Sequence, residues 1–354
     1  MNAHGRLRPS PTMRPLPAWC FTLAGAAFVC AGACWTELEP GGPEGSEQRS
    51  AVATGAAAPS VPLPGSTPIR VVVVSDLNGS YGSTTYAATV SGAITRTIEL
   101  RPDLVLSTGD MVAGQRAGID YAGMWNAFHD VVTNPLAAAA VPFAPTPGNH
   151  DASGYPAYAN ERAMYVAQWN AHRPNLSYVD DSGYPLRYSF VKGPALFVSL
   201  DATTIGPLSA EQKAWVERQL VLGDAFPVKI VYGHVPLYAF SRGRETEILN
   251  DPAFESMLKE HGVSMFISGH HHAYYPGKRQ SLRLVGTPCL GDGPRALLGT
   301  TSASQRSLLV LEIDESGVTS VDAYAEPAFT SAIPRSTLPT QLHYGGNTID
   351  RDDQ

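Results

Sequence analysis

Five short apolar runs along the chain each end in an aspartate, an asparagine or a histidine beside a glycine. The runs are rich in β-branched residues, which is typical of strands buried on both faces of a sheet. Glycine lets the backbone turn sharply, so that the next side chain faces a common centre. Ligands bind at the carboxyl ends of strands in open α/β sheets, so these ends predict a single site. The polar ends are residues 75–79, 108–110, 147–151, 233–234 and 268–272.

Strand and helix patterns alternate from residue 69 onward. Residues 69–74 (IRVVVV) predict a buried strand, and apolar residues then recur at every fourth position from 90 to 98, as on one face of a helix. Pro102 ends this helix and residues 104–106 begin a second strand, a unit that predicts a parallel strand pair. Antiparallel strands are expected near residues 282–285, 308–313 and 318–324. We therefore predict one mixed α/β domain over residues 67–330.

The N-terminal residues 1–34 are predicted to be an export signal. Arginines precede an apolar stretch, from about residue 16 to residue 33, that is short for a membrane-spanning helix. Small residues then precede Cys34, which favours a lipoprotein-type signal with a lipid anchor at Cys34. Ala31 departs from the apolar residue usual three positions before such a cysteine, so plain cleavage and an uncleaved anchor stay open. The expected location is outside the cytoplasm, as a membrane-tethered lipoprotein or a soluble secreted protein.

Two further segments are expected to contribute no core. Residues 35–66 are rich in glycine, proline and alanine, which predicts a disordered linker between the signal and the domain. Residues 331–354 are polar and contain proline, so we expect a C-terminal tail laid over the domain or left loose. The formal net charge of −7 disfavours dedicated nucleic-acid binding, because such proteins are usually basic.

Each polar strand end alone has an ordinary structural explanation. An aspartate after a strand is often a turn residue or a helix cap, and a single histidine is often a surface residue. Three consecutive histidines, 270–272, are harder to explain without a metal. In an extended segment side chains alternate, which predicts that His270 and His272 face one way and His271 the other. Together the five ends predict a metal site.

In this order the strand ends resemble the motifs of the calcineurin-like metallophosphoesterases, over residues 70–325. The resemblance, with the export signal, favours a bacterial, exported branch, and it implies a four-layer α-β-β-α sandwich with two mixed β-sheets. It also implies a dinuclear metal centre. Asp76 and His272 would bind the first metal, Asp110 would bridge both metals, and Asn149, His234 and His270 would bind the second.

The same resemblance assigns roles around the metals. His150 would lie beside the scissile phosphate as a proton donor, and Asp151 would orient His150. Arg242 and Arg244 follow the His234 loop and are candidates for gripping phosphate in a bidentate manner, with solvated loop arginines as the alternative.

One position departs from the common family pattern. Most members have histidine two residues after the first aspartate, where this chain has Asn78. The purple acid phosphatase branch also lacks that histidine, but it has tyrosine where this chain has Ala113, which separates the chain from that branch. An amide oxygen from Asn78 would favour Mn²⁺ or Mg²⁺ over softer ions. We therefore expect two divalent ions, with manganese favoured and iron, zinc and magnesium left open.

The function expected is hydrolysis of phosphomonoester or phosphodiester bonds through attack by a metal-bound hydroxide. Two cations roughly 3.5–4 Å apart would neutralise the phosphoryl charge and bind both the attacking and the leaving oxygen. The expected partner is a small phosphate-ester substrate. The alternatives are a non-catalytic metal- or phosphate-binding protein on the same fold, and an exported nuclease.

Overall fold

The computed structural model describes residues 61–354. The predicted signal over residues 1–34, with its Cys34 anchor, and nearly all of the predicted linker lie outside these residues. Within 61–354, no helix combines the length and the apolar character needed to cross a membrane.

The first sheet is mixed and has six strands. In spatial order they are β13 (Ser331–Ala332), β12 (Gly317–Ala325), β11 (Ser307–Asp314), β1 (Ile69–Val74), β2 (Leu104–Ser107) and β3 (Phe143–Ala144). Strand β1 pairs in parallel with β2, as the strand–helix–strand pattern predicts, and β2 pairs in parallel with β3. On its other edge β1 pairs antiparallel with β11.

The second sheet is also mixed and has nine strands. Their spatial order is β14 (Gln341–Tyr344), β15 (Asn347–Arg351), β9 (Tyr275–Arg279), β10 (Leu282–Gly286), β8 (Met265–Ser268), β7 (Val228–Gly233), β6 (Ala195–Ser199), β5 (Tyr188–Lys192) and β4 (Ser177–Asp180). Strands β6, β7, β8 and β10 are parallel neighbours. Residues 282–285 are predicted to form an antiparallel strand. The strand they form, β10, is antiparallel to β9 but parallel to β8.

The two sheets pack face to face, with helices on the outer face of each. Val71 and Val73 of β1 pack against Phe197 and Ile230 of the second sheet, whereas Val72 faces the helices. A third cluster joins the second sheet to α6 and α7. The helices are α1 (Ala88–Leu100), α2 (Tyr121–Phe128), α3 (Asn134–Ala138), α4 (Asn149–Ala152), α5 (Ala159–Ala171), α6 (Ala210–Leu222) and α7 (Pro252–Glu260). These four layers confirm the predicted fold class.

The C-terminal residues do not form the predicted tail. Strands β14 and β15 form a hairpin, and β15 pairs antiparallel with β9, so residues 331–354 extend both sheets. Arg335 reinforces this arrangement, since its guanidinium binds Asp322 and Asp352. The segment looks like a tail in the sequence because its burial depends on distant strands.

Candidate metal centre

The predicted ligands meet where strands of both sheets end. Strands β1, β2 and β3 carry Asp76, Asp110 and Asn149 just beyond their carboxyl ends, and β7 and β8 carry the histidines. Ligand atoms of Asp110, His234 and His270 lie within 4.8 Å of one another. The structure thus brings together the five strand ends that the sequence singles out.

Several of these residues have an unusual backbone conformation. Asp76, Asp110, His270 and His272 have φ angles of 48°, 56°, 65° and 52°. This left-handed region costs an L-residue roughly 1–2 kcal/mol and, outside glycine, is concentrated at functional sites. The sequence prediction assumed an extended 270–272 segment, which is wrong. The alternating left-handed residues nevertheless place His270 and His272 at the centre and turn His271 away.

Two glycines allow the loops after β2 and β3 to approach closely. A Cβ atom on Gly109 would lie 2.7 Å from Gly148 Cα and 2.9 Å from His234 Nδ1. A Cβ atom on Gly148 would overlap the carboxylate of Asp110. Only glycine at these positions lets Asp110, Asn149 and His234 converge, which explains the Gly-Asp and Gly-Asn pairs in the sequence.

Acceptor atoms crowd around the buried ring of His234. Its Nδ1 lies 2.8 Å from the Thr108 carbonyl oxygen, so Nδ1 carries the hydrogen and Nε2 of the neutral ring presents a lone pair. Nε2 is 2.8 Å from Asn149 Oδ1, 3.3 Å from Asp110 Oδ2 and 3.2 Å from His270 Nδ1. These converging lone pairs repel one another unless a cation or a proton lies among them.

A second group of acceptors surrounds Asp76. Its Oδ1 is buried and has no hydrogen-bond donor within residues 61–354, although His272 Nε2 is 3.0 Å away. His272 Nδ1 donates to the Gly293 carbonyl oxygen, which leaves Nε2 of the neutral ring facing the carboxylate. Asn78 is buried, and its amide nitrogen donates to the Val112 carbonyl oxygen, which leaves its own oxygen available.

The electrostatics of the site call for positive charge. Burial alone would raise the pKa of Asp76 and Asp110, but nearby histidines hold both below the usual range. Burial would lower the pKa of His234, yet the charge of Asp110 raises it to about 9. The pKa of His272 likewise lies well above its usual value, against the effect of burial, because of Asp76. Protons on these rings supply the charge that a metal would otherwise supply.

The ring of His150 lies at the edge of the centre. Its Nδ1 is 3.1 Å from the Gly114 carbonyl oxygen, and its Nε2 is 4.0 Å from Asp110 Oδ2. The prediction that Asp151 orients this ring is wrong. Both carboxylate oxygens of Asp151 accept backbone N–H groups, from Val112 and Gly148, so Asp151 instead joins the loops that carry Asp110 and Asn149.

The two predicted arginines lie in different surroundings. Arg242 is exposed and donates to the Thr300 carbonyl oxygen. Arg244 is partly buried and its Nη1 lies 3.2 Å from His270 Nε2. A third arginine, Arg295, also lies at the site. Its backbone N–H bonds to the His272 carbonyl oxygen, and its Nε is buried without a partner among residues 61–354. Arg244 and Arg295, rather than Arg242, are therefore the cations beside the histidines.

Glu247 belongs to the site, although no sequence motif contains it. Its Oε2 lies 2.9 Å from His270 Nε2, and this hydrogen bond is the main reason why the pKa of Glu247 falls to about 2. Arg244 pairs with the same carboxylate. Because Nε2 of His270 donates to Glu247, Nδ1 is left as a lone pair facing His234. Such outer carboxylates fix the tautomer and the orientation of a metal-binding histidine.

Replacing Glu247 with alanine is expected to weaken metal binding by about 10- to 100-fold, the usual effect of losing an outer partner of a metal ligand. Equilibrium dialysis against Mn²⁺ measures this change. Glu245→Ala, two residues away in the same loop, is the matched control and should bind Mn²⁺ like the wild type. Equal affinity of the two variants would contradict a positioning role for Glu247.

A family model supports the resemblance. The model described as calcineurin-like phosphoesterase matches residues 69–274, more than half of the 354 residues. Purple acid phosphatase 15 of Arabidopsis thaliana is 26% identical over 248 residues, covering 62% of this chain and 43% of that protein. Purple acid phosphatase 18 of the same plant is 29% identical over 179 residues, covering 48% and 39%. The chain therefore spans less than half the length of these relatives. Both are named purple acid phosphatases, and this chain has Ala113 at the position where that branch has tyrosine.

Two solved structures share the fold. Purple acid phosphatase PPD1 from yellow lupin seeds has a TM-score of 0.55 and 18% identity, covering 75% of this chain and 53% of that one. GAP50, described as the anchor in the inner membrane complex of Plasmodium, has a TM-score of 0.52 and 15% identity, covering 73% and 84%. At these identities the likeness concerns architecture alone.

Proposed function

The chain belongs to the calcineurin-like phosphoesterase family, and from this membership we propose that it hydrolyses phosphomonoesters or phosphodiesters with the aid of two divalent metal ions. The observation that most directly supports this proposal is the group of lone-pair atoms that converge on His234 Nε2. Oxygen atoms of Asn149 and Asp110 and the Nδ1 atom of His270 lie within 3.3 Å of it. Such a donor set suits a divalent cation and is unfavourable without positive charge.

Two sets of residues fit the two ions. Asn149, His234 and His270 would hold one ion, while Asp76, His272 and the amide oxygen of Asn78 would hold the other. Asp110 would be the carboxylate that the two ions share. The two amide oxygens make the donor set harder than one built from imidazole, which favours manganese. When bound, two such ions neutralise phosphoryl charge and make water acidic enough to supply a nucleophile near neutral pH.

The protein itself supplies proton transfer and substrate orientation. The Gly114 carbonyl oxygen accepts from His150 Nδ1, so the Nε2 hydrogen of the protonated ring is free to pass to the leaving oxygen. The guanidinium of Arg244, beside His270, is placed to donate hydrogen bonds to phosphate oxygens. Arg295, whose backbone N–H bonds to the His272 carbonyl oxygen, adds positive charge nearby. Arg242 is omitted from this role because its side chain points to Thr300.

The test combines metal analysis with turnover. The purified full chain should retain roughly two equivalents of divalent metal after Mn²⁺ loading and gel filtration, as expected for a two-metal site. It should then hydrolyse p-nitrophenyl phosphate or bis(p-nitrophenyl) phosphate, and a chelator should abolish the turnover. A folded sample that binds no metal and turns over neither ester would contradict the proposal. Metal binding without turnover would favour a non-catalytic binding protein.

A further inference from the structure

A small cavity opens beside the proposed metal ligands. Its volume is about 180 Å³, and a cavity of about 150 Å³ is enough to hold one benzene molecule. One wall contains residues of the metal centre, and the other is formed by two loops. The lining includes Asn78, His150 and His272 on the side of the centre and Gly79, Tyr81 and Asp292 on the side of the loops.

Tyr81 presents its ring at the mouth of this cavity. The side chain is 54% exposed, and its ring centroid lies 5.2 Å from that of His150. The loop beneath it is fixed, because Gly82 N–H bonds to the Ala113 carbonyl oxygen and Ser83 N–H to the Ser80 carbonyl oxygen. Gly82 has a φ of +78°, and a Cβ atom there would lie 3.0 Å from Ile119. The protein therefore keeps a large aromatic face exposed on a well-held turn.

We propose that Tyr81 is a specificity-determining residue that stacks on a planar aromatic leaving group of the phosphoester. This inference rests on the proposed function. His150 marks the side on which the leaving oxygen departs, so the group attached to that oxygen extends past the neighbouring ring of Tyr81. Stacking on an aromatic side chain stabilises a planar ring in a way that a saturated group of similar size does not reproduce.

Asp292 narrows the class of leaving group. Its side chain is 65% exposed, and its nearest cation is Arg306, at 3.7 Å. Its carboxylate faces Gly79 across the cavity, since a Cβ atom on Gly79 would lie 3.6 Å from Asp292 Oδ2. A negative charge at this position repels a second anionic group on the leaving alcohol. The preferred leaving group is therefore a neutral alcohol that carries a planar aromatic ring, such as a phenol or an uncharged nucleoside.

Phenyl phosphate and cyclohexyl phosphate test the stacking role, because their leaving groups match in size but only one is planar. Tyr81→Leu should lower kcat/KM for phenyl phosphate by roughly 5- to 150-fold more than for cyclohexyl phosphate, which is the effect of losing one aromatic stack. Tyr81→Phe keeps the ring and should keep the wild-type ratio. Tyr344, a 40% exposed tyrosine on β14, provides the control: Tyr344→Ala should leave kcat/KM unchanged for both substrates.

The outcomes separate this inference from the proposed function. Wild-type turnover of both esters with equal losses in Tyr81→Leu would overturn the stacking role alone. No wild-type turnover of either monoester would overturn the stacking role. The proposed function is overturned only if p-nitrophenyl phosphate and bis(p-nitrophenyl) phosphate are not hydrolysed either. Asp292→Asn should raise kcat/KM for 4-carboxyphenyl phosphate relative to phenyl phosphate. An unchanged ratio would overturn the role of Asp292.

Discussion

Replacing Asp110 with asparagine is expected to remove bound metal and to lower phosphoester turnover by more than about 100-fold, because losing even an outer partner of a metal ligand costs about 10- to 100-fold. Asp110 Oδ2 lies 3.3 Å from His234 Nε2, and the proposed function makes this carboxylate the ligand that both metal ions share. Asparagine keeps the oxygen that accepts from the His150 backbone N–H, so the loop should retain its conformation. The loss then reports the missing negative charge.

Metal content and turnover of Asp110→Asn should be measured on the same preparation, with thermal unfolding as a check on the fold. Asp314→Asn is a suitable control, since Asp314 is the last residue of β11, far along the chain from the motifs, and its carboxylate accepts from Ser316 in the turn to β12. It should match the wild type in both measurements. An Asp110→Asn protein with wild-type metal content and turnover would show that Asp110 is not the shared ligand.

The strands that carry the site are predictable because they are buried on both faces. Val72 and Val73 point to opposite sides of β1, yet both are inaccessible to solvent, so the sequence shows one unbroken apolar run. Such a run stops where the chain leaves the sheet, and the residues that follow lie at its carboxyl edge. This is why Asp76, Asp110 and His234 stand out without any knowledge of the fold.

The strands missing from the prediction depend on distant partners. Strand β9 contains Pro276 and Gly277, which are both unfavourable inside strands, yet it pairs with β10 and β15. Gly277 lies opposite Arg351, far along the chain. The sequence pattern near a strand does not indicate such a distant pairing. For this reason residues 331–354 look like a tail in the sequence although they form strands in the structure.

Two features of the site have little or no sequence signature. Gly114 holds the His150 ring through its carbonyl oxygen, a group that every residue type offers. Glu247 acts on His270 from a position 14 residues beyond the end of β7, outside any of the motifs. By contrast, Asp151 stands beside His150 in a recognisable motif, and the resemblance implied a contact between them that the geometry of α4 does not make.

His150→Gln is expected to lower kcat by about 10²- to 10⁴-fold for esters with poor leaving groups, the usual contribution of a general acid. The reduction should be smaller for p-nitrophenyl phosphate, because p-nitrophenolate is a stable anion and needs less protonation as it departs. Metal content should stay at the wild-type level, since the His150 ring is held by Gly114 and is not among the converging ligands. His343→Gln, on β14, is the matched control.

The dependence on the leaving group is what distinguishes proton donation from other roles of His150. If the ring only fills space beside Tyr81, or only contacts the phosphoryl oxygens, its replacement should lower kcat by the same factor for both esters. Equal losses for phenyl phosphate and p-nitrophenyl phosphate would therefore contradict proton donation, and loss of metal would instead make His150 part of the ligand set. A larger loss of kcat for phenyl phosphate than for p-nitrophenyl phosphate, with full metal content, would show that His150 Nε2 donates a proton to the leaving oxygen. The hydrogen bond from Nδ1 to the Gly114 carbonyl oxygen leaves Nε2 free for this role.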